Sequence, residues 1–294
     1  SAEVTTVAAA TGAVTGSLSW VLGQPLVGLA IGGDSRTPLI GNADHALLMA
    51  VTHAVANPLS SVSRMTIQVP ASGFATVVAI APITTVAAQC GPPAVTKHGG
   101  SQGRWLTSIA YRYNGQSNGA CRLDVVDAVG TVCDTATQTI AAAPNNTPRS
   151  AVAALDGSAF LFAYEDSSTI RLRRVQVSSC GATMVLLPVF SVTLPGLNEY
   201  PELDCARDKY LLAWRNTPPA ATVSDVYVQG IGLQNGVGAV QPALGALATQ
   251  IDPAVASRWS GGRGTSGTAE PARSAGLSRR GRRSICRSGL GALR

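Results

Sequence analysis

The sequence has 294 residues and a formal net charge of +6, with 46% apolar and only 13% charged residues, against roughly 25% charged in an average globular domain. It contains two Lys and five Glu, too few for a protein built mainly of amphipathic helices. Val, Thr, Ala, Gly and Pro prevail, as in short strands joined by tight turns. No uncharged apolar run reaches the roughly 18 residues that a membrane span needs.

The positive charge is confined to one end of the chain. Residues 258–294 hold nine Arg and one acid, a net of +8, so residues 1–257 together carry −2. This predicts a domain over 1–257 and a tail over 258–294 that is either disordered or translated out of frame. A folded basic surface is not indicated, and we expect no specific nucleic-acid partner. The chain starts at Ser1, as a mature form after signal removal or a fragment would.

Prolines recur at nearly even intervals. Pro38, Pro93, Pro148, Pro201 and Pro253 are separated by 55, 55, 53 and 52 residues. A fixed period of this length is typical of repeat architectures.

Each interval repeats the same order of segments. A consecutively apolar run comes first, at 47–51, 106–111, 160–164 and 210–214. A more alternating run follows, at 65–69, 123–126, 170–175 and 226–231, and then a turn that closes on Gly and a last run. We therefore predict four strands per unit, A to D, with strand A after the proline. Strand B is apolar at consecutive positions, which indicates burial on both faces.

Four-stranded antiparallel units of this kind favour an all-β fold, a β-propeller of about five blades. The alternative is a β-sandwich or another hairpin repeat. Residues 18–22 and 26–31 are interpreted as a C–D hairpin, and 252–256 as the strand A that closes the ring with the N-terminal strands. The predicted blades are 1–36 with 252–256, then 38–90, 93–145, 148–198 and 201–250.

Few residues suggest chemistry. Gly33, Asp34 and Ser35 are similar to an esterase nucleophile block, but no His lies three residues after an Asp, so a loop between blades is the preferred interpretation. The Gly-x-Gly-x-x-Gly spacing at 262–267 has neither the strand nor the helix of a dinucleotide site. Acidic residues are sparse, although two carboxylates from different blades could meet as a glycosidase requires. We predict no catalytic residue, no cofactor and no metal site.

The loop face that carries the B–C and D–A connections is the predicted binding face. Its polar residues suit recognition of a polar ligand or a protein surface. The candidates are Arg112, Tyr113, Asn114, Glu165, Asp166, Arg215, Asn216, Asn198 and Glu199. Tyr111, Tyr164 and Trp214 recur at the ends of successive B strands, so we interpret them as packing between blades rather than as a ligand platform.

Six cysteines occur, at 90, 121, 133, 180, 205 and 286, without metal-ligand spacing. Disulfides are plausible in an exported protein. Cys121 and Cys133 flank one predicted hairpin and are the first candidate pair, although the predicted turn places Asp124 opposite Cys133. The alternative is a set of buried, reduced cysteines.

The unit with Tyr210-Leu-Leu-Ala-Trp214, Asp225-Val-Tyr-Val-Gln-Gly-Ile231 and Gln234-Asn-Gly236 resembles the repeats of secreted bacterial β-propeller-like proteins. That resemblance implies an extracellular, periplasmic or cell-surface protein and carries over no catalytic residue. We expect a non-catalytic module that binds a protein or glycan at the cell surface, with a propeller hydrolase acting on carbohydrate as the alternative. Nothing in the sequence indicates an oligomeric state.

Overall fold

The computed structural model describes residues 2–7, 14–20, 24–36, 45–56, 59–69, 76–99, 102–113, 116–141, 147–155, 157–192, 194–206, 209–232 and 237–243. These residues form strands joined by turns. No helix among them is long and apolar enough to cross a membrane. The N-terminal strands β1 and β2 are Ala2–Val7 and Val14–Trp20, and among the described residues they form a separate two-stranded sheet.

The first four-stranded unit is an antiparallel meander. Its strands β3 to β6 are Leu26–Arg36, His45–Ala56, Leu59–Val69 and Thr76–Cys90. Among the described residues β2 pairs with β1, and β3 pairs with β4 in a separate sheet, so the predicted hairpin between 18–22 and 26–31 is wrong. Gly33 to Ser35 lie within β3 rather than in a loop, since Ser35 pairs with Ala46 beyond a register shift. The connection between β4 and β5 is short, because the two strands pair as far as Ala56 and Leu59.

The second unit follows the predicted order of strands A to D. Its strands β7 to β10 are Ala94–Val95, Arg104–Tyr113, Asn118–Asp127 and Val132–Ala141. A short pairing of 88–90 with 111–113 makes hydrogen bonding continuous between the first and second units, so that eight strands share one sheet.

The third and fourth units repeat the pattern. In the third, β11 to β13 are Ser150–Ala154, Ala159–Asp166 and Thr169–Gln176, and two short strands, β14 at Val185–Leu186 and β15 at Phe190–Ser191, both pair with β13. In the fourth, β16 to β19 are Leu197–Ala206, Lys209–Thr217, Asp225–Gly232 and Val237–Pro242.

Apolar layers between successive units hold the sheets together, because side chains alternate across each second strand. On β8, Trp105 and Ile109 pack toward the first unit, whereas Leu106 and Ala110 pack toward the third. The strand β12 divides in the same way between the second and fourth units. The prediction that the consecutively apolar runs are buried on both faces is confirmed.

The aromatic residues at the strand ends lie in these layers, as predicted. Tyr111 lies between the first and second units, Tyr164 between the second and third, and Trp214 between the third and fourth. All three are buried. Burial raises the pKa of the Tyr164 hydroxyl to about 12, so the ring stays neutral at physiological pH.

The first strands of the units lie next to one another, with β3 against β7, β7 against β11 and β11 against β16. Lys97, just after β7, donates to the Asp204 carboxylate on β16 over 3.0 Å, a contact between the second and fourth units. Four repeated four-stranded antiparallel sheets, packed face to face with their first strands together, form the arrangement of a β-propeller. The predicted closure by 252–256 and the tail at 258–294 lie outside the described residues.

A disulfide and a buried ion cluster join neighbouring sheets. Cys133 on β10 is bonded to Cys180, which follows β13, with a Cα–Cα separation of 4.4 Å. The predicted Cys121–Cys133 pair is therefore wrong. Cys121 pairs in register with Gln138 and is a buried free thiol.

The buried ion cluster lies between the first and second units. Asp124 on β9 receives Arg64 Nη1 from β5 over 3.2 Å and Arg122 Nε over 3.0 Å. Thr135 Oγ1 also donates to Asp124, over 2.8 Å. The Asp124 side chain is fully buried, and that of Arg64 is 7% exposed. One carboxylate therefore balances two guanidinium groups at this contact.

Candidate functional site

Two kinds of strand end meet at one edge of the third and fourth units. The second strands β12 and β17 end there, and the first strands β11 and β16 begin there, because adjacent strands are antiparallel. This is the predicted loop face. The residues it brings together on neighbouring sheets are Arg149, Glu165, Asn198, Glu199, Tyr200, Arg215 and Asn216.

The centre of this cluster is the ring of Tyr200, over which two guanidinium groups lie. Arg149 Cζ lies 3.9 Å from the ring centroid and Arg215 Cζ lies 4.1 Å from it. Cations over an aromatic face are attracted by the ring quadrupole. We call these three residues the Arg–Tyr–Arg stack. Arg149 directly precedes β11 and Arg215 lies near the end of β17, so the stack spans the third and fourth units.

The backbone fixes the position of Tyr200. Its φ is +58°, a left-handed conformation that costs a bulky residue free energy. The register of β16 and β17 shifts between Glu199 and Glu202, as at a β-bulge, which redirects a side chain. Pro201 lies within this irregular stretch, where its missing N–H costs no regular ladder bond.

The Glu165 carboxylate accepts hydrogen bonds from the backbone of two residues of the stack. Its Oε1 accepts from Tyr200 N over 2.7 Å, and its Oε2 accepts from Arg149 N over 3.0 Å. The residue is 4% exposed. Burial raises the pKa of the Glu165 carboxyl to about 7, although the two N–H donors act in the opposite direction, and Glu199 adds repulsion. The carboxyl therefore bridges the two sheets and titrates near neutrality.

The neighbouring acids have arginine partners. Glu199 forms an ion pair with Arg215, whose side chain is 16% exposed. Asp166 forms an ion pair with Arg171 and accepts from Ala141 N over 2.7 Å. The predicted acidic residues thus lie at this face and form ion pairs with arginines of the same chain.

The amide of Asn198 is part of the sheet's internal bonding. Its Oδ1 accepts from Trp214 Nε1 and from Asn216 Nδ2, each over 3.0 Å. Its Nδ2 lies 3.0 to 3.2 Å from the carbonyl oxygens of Ser168, Leu194 and Gly196. Asn198 and Asn216 are both buried, and they position the strands that carry Glu199 and Arg215. A ligand role for either amide stays a prediction.

The remaining candidates lie on the second unit. Arg112 donates to the Gln89 side chain, and the ring of Tyr113 packs edge-on against Tyr111 with centroids 5.5 Å apart. No contact described for these residues joins them to the Arg–Tyr–Arg stack. Asn114 lies outside the described residues. Their predicted binding role stays untested.

Sequence reasoning missed two residues of the site, Arg149 and Tyr200. Tyr200 lies in β16 and is not one of the predicted candidates. Both residues flank a repeat proline, which is Pro148 just before β11 or Pro201 within β16. A position next to a repeat proline was therefore the feature of the sequence that could have identified these two residues.

A separate group of ligand-type side chains lies at the opposite edge of the sheets. One carboxylate oxygen of Asp127 and the sulfurs of Cys133 and Cys180 lie within 4.8 Å of one another. These residues come from two different C–D connections, so their linear spacing gave no metal-binding pattern.

The sequence matches no protein-family model, and no curated protein was found to be similar to it. Structural similarity was found to a GH43 endo-arabinanase from Bacillus licheniformis, with a TM-score of 0.40 and 10% sequence identity. The match covers 73% of this chain and 79% of that chain. At this identity and TM-score, the likeness says nothing about the activity of this protein.

Proposed function

We propose that the chain is an exported, non-catalytic binding module that recognises a protein partner through the Arg–Tyr–Arg stack and its surroundings. The observation that carries the proposal is the partly exposed Tyr200 ring, which is held in contact with the guanidinium groups of Arg149 and Arg215. Tyr and Arg are the residue types that dominate binding energy at protein interfaces, especially where they are held rigidly before binding.

A protein partner fits this geometry better than a glycan does. A sugar ring binds an aromatic side chain by stacking on a free face. Two guanidinium groups already lie over the Tyr200 ring at about the distance of direct contact, on ring surface that a stacked sugar would need. The two guanidinium groups favour a partner whose contact residues include carboxylates, because arginine pairs with carboxylates in bidentate geometry.

Export is supported by the disulfide between Cys133 and Cys180. Stable disulfides form in oxidising compartments and are rare in the cytosol of mesophiles. An extracellular, periplasmic or cell-surface location is therefore part of the proposal.

The test is a selection of phage-displayed peptides on the purified protein, run in parallel with a glycan array. We expect selected peptides to contain Asp and Glu, and Tyr200→Ala to weaken their binding roughly 30-fold, as for a hot-spot residue. The matched control is Lys209→Ala, an exposed position at the opposite edge of the fourth unit, which should leave binding unchanged. Binding of glycans alone, or peptide binding that is insensitive to Tyr200→Ala, would refute the proposal.

One observation favours a second function, hydrolysis of carbohydrate. Glu165 has a pKa of about 7, whereas the neighbouring Glu199 is paired with Arg215. A glycosidase uses a carboxyl with a raised pKa as its general acid, together with a second carboxyl nearby. Against this function, both Glu165 oxygens are engaged by backbone N–H groups. Turnover of aryl glycosides that is lost in Glu165→Gln would establish it and displace the binding module.

A further inference from the structure

Cys133, Cys180 and Asp127 form a compact group away from the Arg–Tyr–Arg stack, at the edge where the C–D connections of the second and third units lie. The two cysteines form a disulfide between the units. Cys180 is exposed and Cys133 is 7% exposed, so a reductant can reach the bond from the solvent side.

We propose that reduction of this disulfide converts the group into a binding site for one thiophilic divalent cation of the zinc type. Two thiolates and one carboxylate supply three ligands, and water supplies the fourth. Zinc prefers this mixture of sulfur and oxygen donors in tetrahedral geometry. The three ligand atoms already lie within 4.8 Å of one another.

The backbone keeps the two cysteines adjacent when the S–S bond is absent. Gly181 N, next to Cys180, donates to the carbonyl oxygen of Cys133 over 3.2 Å. Met184 N donates to the carboxylate of Asp134. These two bonds hold the segment that follows Cys180 against β10. The two thiols therefore remain neighbours. Rotation of the cysteine side chains then suffices to move the sulfur atoms far enough apart for both to bind one metal ion.

Asp127 is already oriented for binding. Its Oδ1 accepts from Val129 N over 3.0 Å and from Thr131 N over 2.8 Å, which fixes the carboxylate at the hairpin turn. Both of these hydrogen bonds are to Oδ1, and the carboxylate has a second oxygen atom that can bind a metal ion. Hydrogen bonds of this kind orient a metal ligand and are part of a working site.

The chemistry balances with a dithiol reductant. The reductant's two thiols lose two electrons and two protons and become a disulfide, while the Cys133–Cys180 bond breaks and each sulfur gains a proton. Binding of the cation then displaces both protons, because the thiolate is the ligand. In the reverse step a small-molecule disulfide takes up two electrons and becomes two thiols, the Cys133–Cys180 bond re-forms and the cation is released, so the disulfide and the bound metal exclude each other.

The experiment uses the full chain in a Cys286→Ser background, because Cys286 lies outside the described residues. Cobalt(II) is the probe, since its bonds to thiolate give a charge-transfer absorption, and a phosphine without thiols is the reductant. We expect one cobalt per reduced chain and none per oxidised chain. Cys180→Ser should remove the charge-transfer band.

Asp127→Asn is the sharper variant, because the amide oxygen can still accept from Val129 and Thr131 while the anionic ligand is lost. We expect at least a tenfold loss of cobalt affinity, the scale on which even outer-shell changes weaken metal binding. Asp225→Asn, the same charge change on β18, should have no effect. Equal binding by oxidised protein, a band that survives Cys180→Ser, or unfolding of the chain on reduction would each overturn the proposal.

Discussion

The indole N–H of Trp214 donates to the side-chain oxygen of Asn198 over 3.0 Å, which ties the second strand of the fourth unit to the first. The same oxygen accepts from Asn216. The buried aromatic layer and the polar loop face are therefore connected through one amide, and a change in that amide should affect both.

Replacing Asn198 by Ala should lower the free energy of unfolding by about 3 kcal/mol, because the change leaves buried donors of Trp214 and Asn216 without their acceptor. Urea denaturation measures the effect. Asn118→Ala, at an exposed position at the start of β9, is the control and should stay within about 0.5 kcal/mol. Equal costs for the two variants would contradict the role assigned to Asn198.

The Cys133–Cys180 disulfide closes a loop with a sequence separation of 47. Replacing both cysteines by Ser should lower the free energy of unfolding by about 4 kcal/mol, chiefly because the unfolded chain regains the entropy of that loop. Denaturation with and without reductant measures this. The double variant should not respond to reductant. Peptide mapping that finds Cys121 in a disulfide would contradict the pairing.

Glu165 should make stability depend on pH. Its folded pKa of about 7 lies above the ordinary value of 4.5, so between these pH values the folded state holds a proton that the unfolded state has lost. The stability that Glu165 contributes is then full below about pH 4.5 and declines as pH rises to about 7.

The readout is the difference in unfolding free energy between the wild-type protein and Glu165→Gln, measured from pH 5 to pH 8. Glutamine cannot titrate, so we expect the wild-type protein to lose stability relative to the variant as pH rises, by a few kcal/mol, since each pKa unit corresponds to about 1.4 kcal/mol. A constant difference across this range would show that the carboxyl titrates normally.

Asp124 balances Arg64 and Arg122 inside the protein. Burial lowers the pKa of Arg64 while Asp124 opposes that change. Asp124→Asn should cost about 3 to 5 kcal/mol, because it leaves a buried guanidinium without its counter-charge. Thr135→Val, which removes one neutral donor to the same carboxylate, should cost about 1 kcal/mol. Thermal unfolding compares the two, and a larger cost for Thr135→Val would contradict the ranking.

The repeated sheets were predictable because a strand that is buried on both faces has apolar residues at consecutive positions. Residues 160–164 and 210–214 show that pattern without any need for three-dimensional information. The pairing of Leu26–Arg36 was not predictable in the same way. The letters Gly23-Gln24-Pro25 before that strand indicated a hairpin with 18–22, whereas the strand pairs with His45–Ala56, which comes later in the chain.

The sequence predicted which edge of the sheets carries the candidate site, but not which side chains contact one another there. Chain order placed Glu165, Glu199 and Arg215 at the same edge, and the structure brings them together. The stack depends on Tyr200, whose orientation follows from a bulge and a left-handed backbone. The disulfide depends on the approach of two turns from different sheets. Neither kind of relationship leaves a periodic signal in the sequence.

The alternation along β8 and β12 also restricts how the gene can change in length. Leu161 and Phe162 contact different neighbouring sheets, so inserting or deleting one codon within such a strand would exchange the contents of two layers at once. Insertions of whole codons at the strand ends avoid this exchange. Length variation among natural homologues should therefore be concentrated at the chain reversals, and the strands should differ by substitution alone.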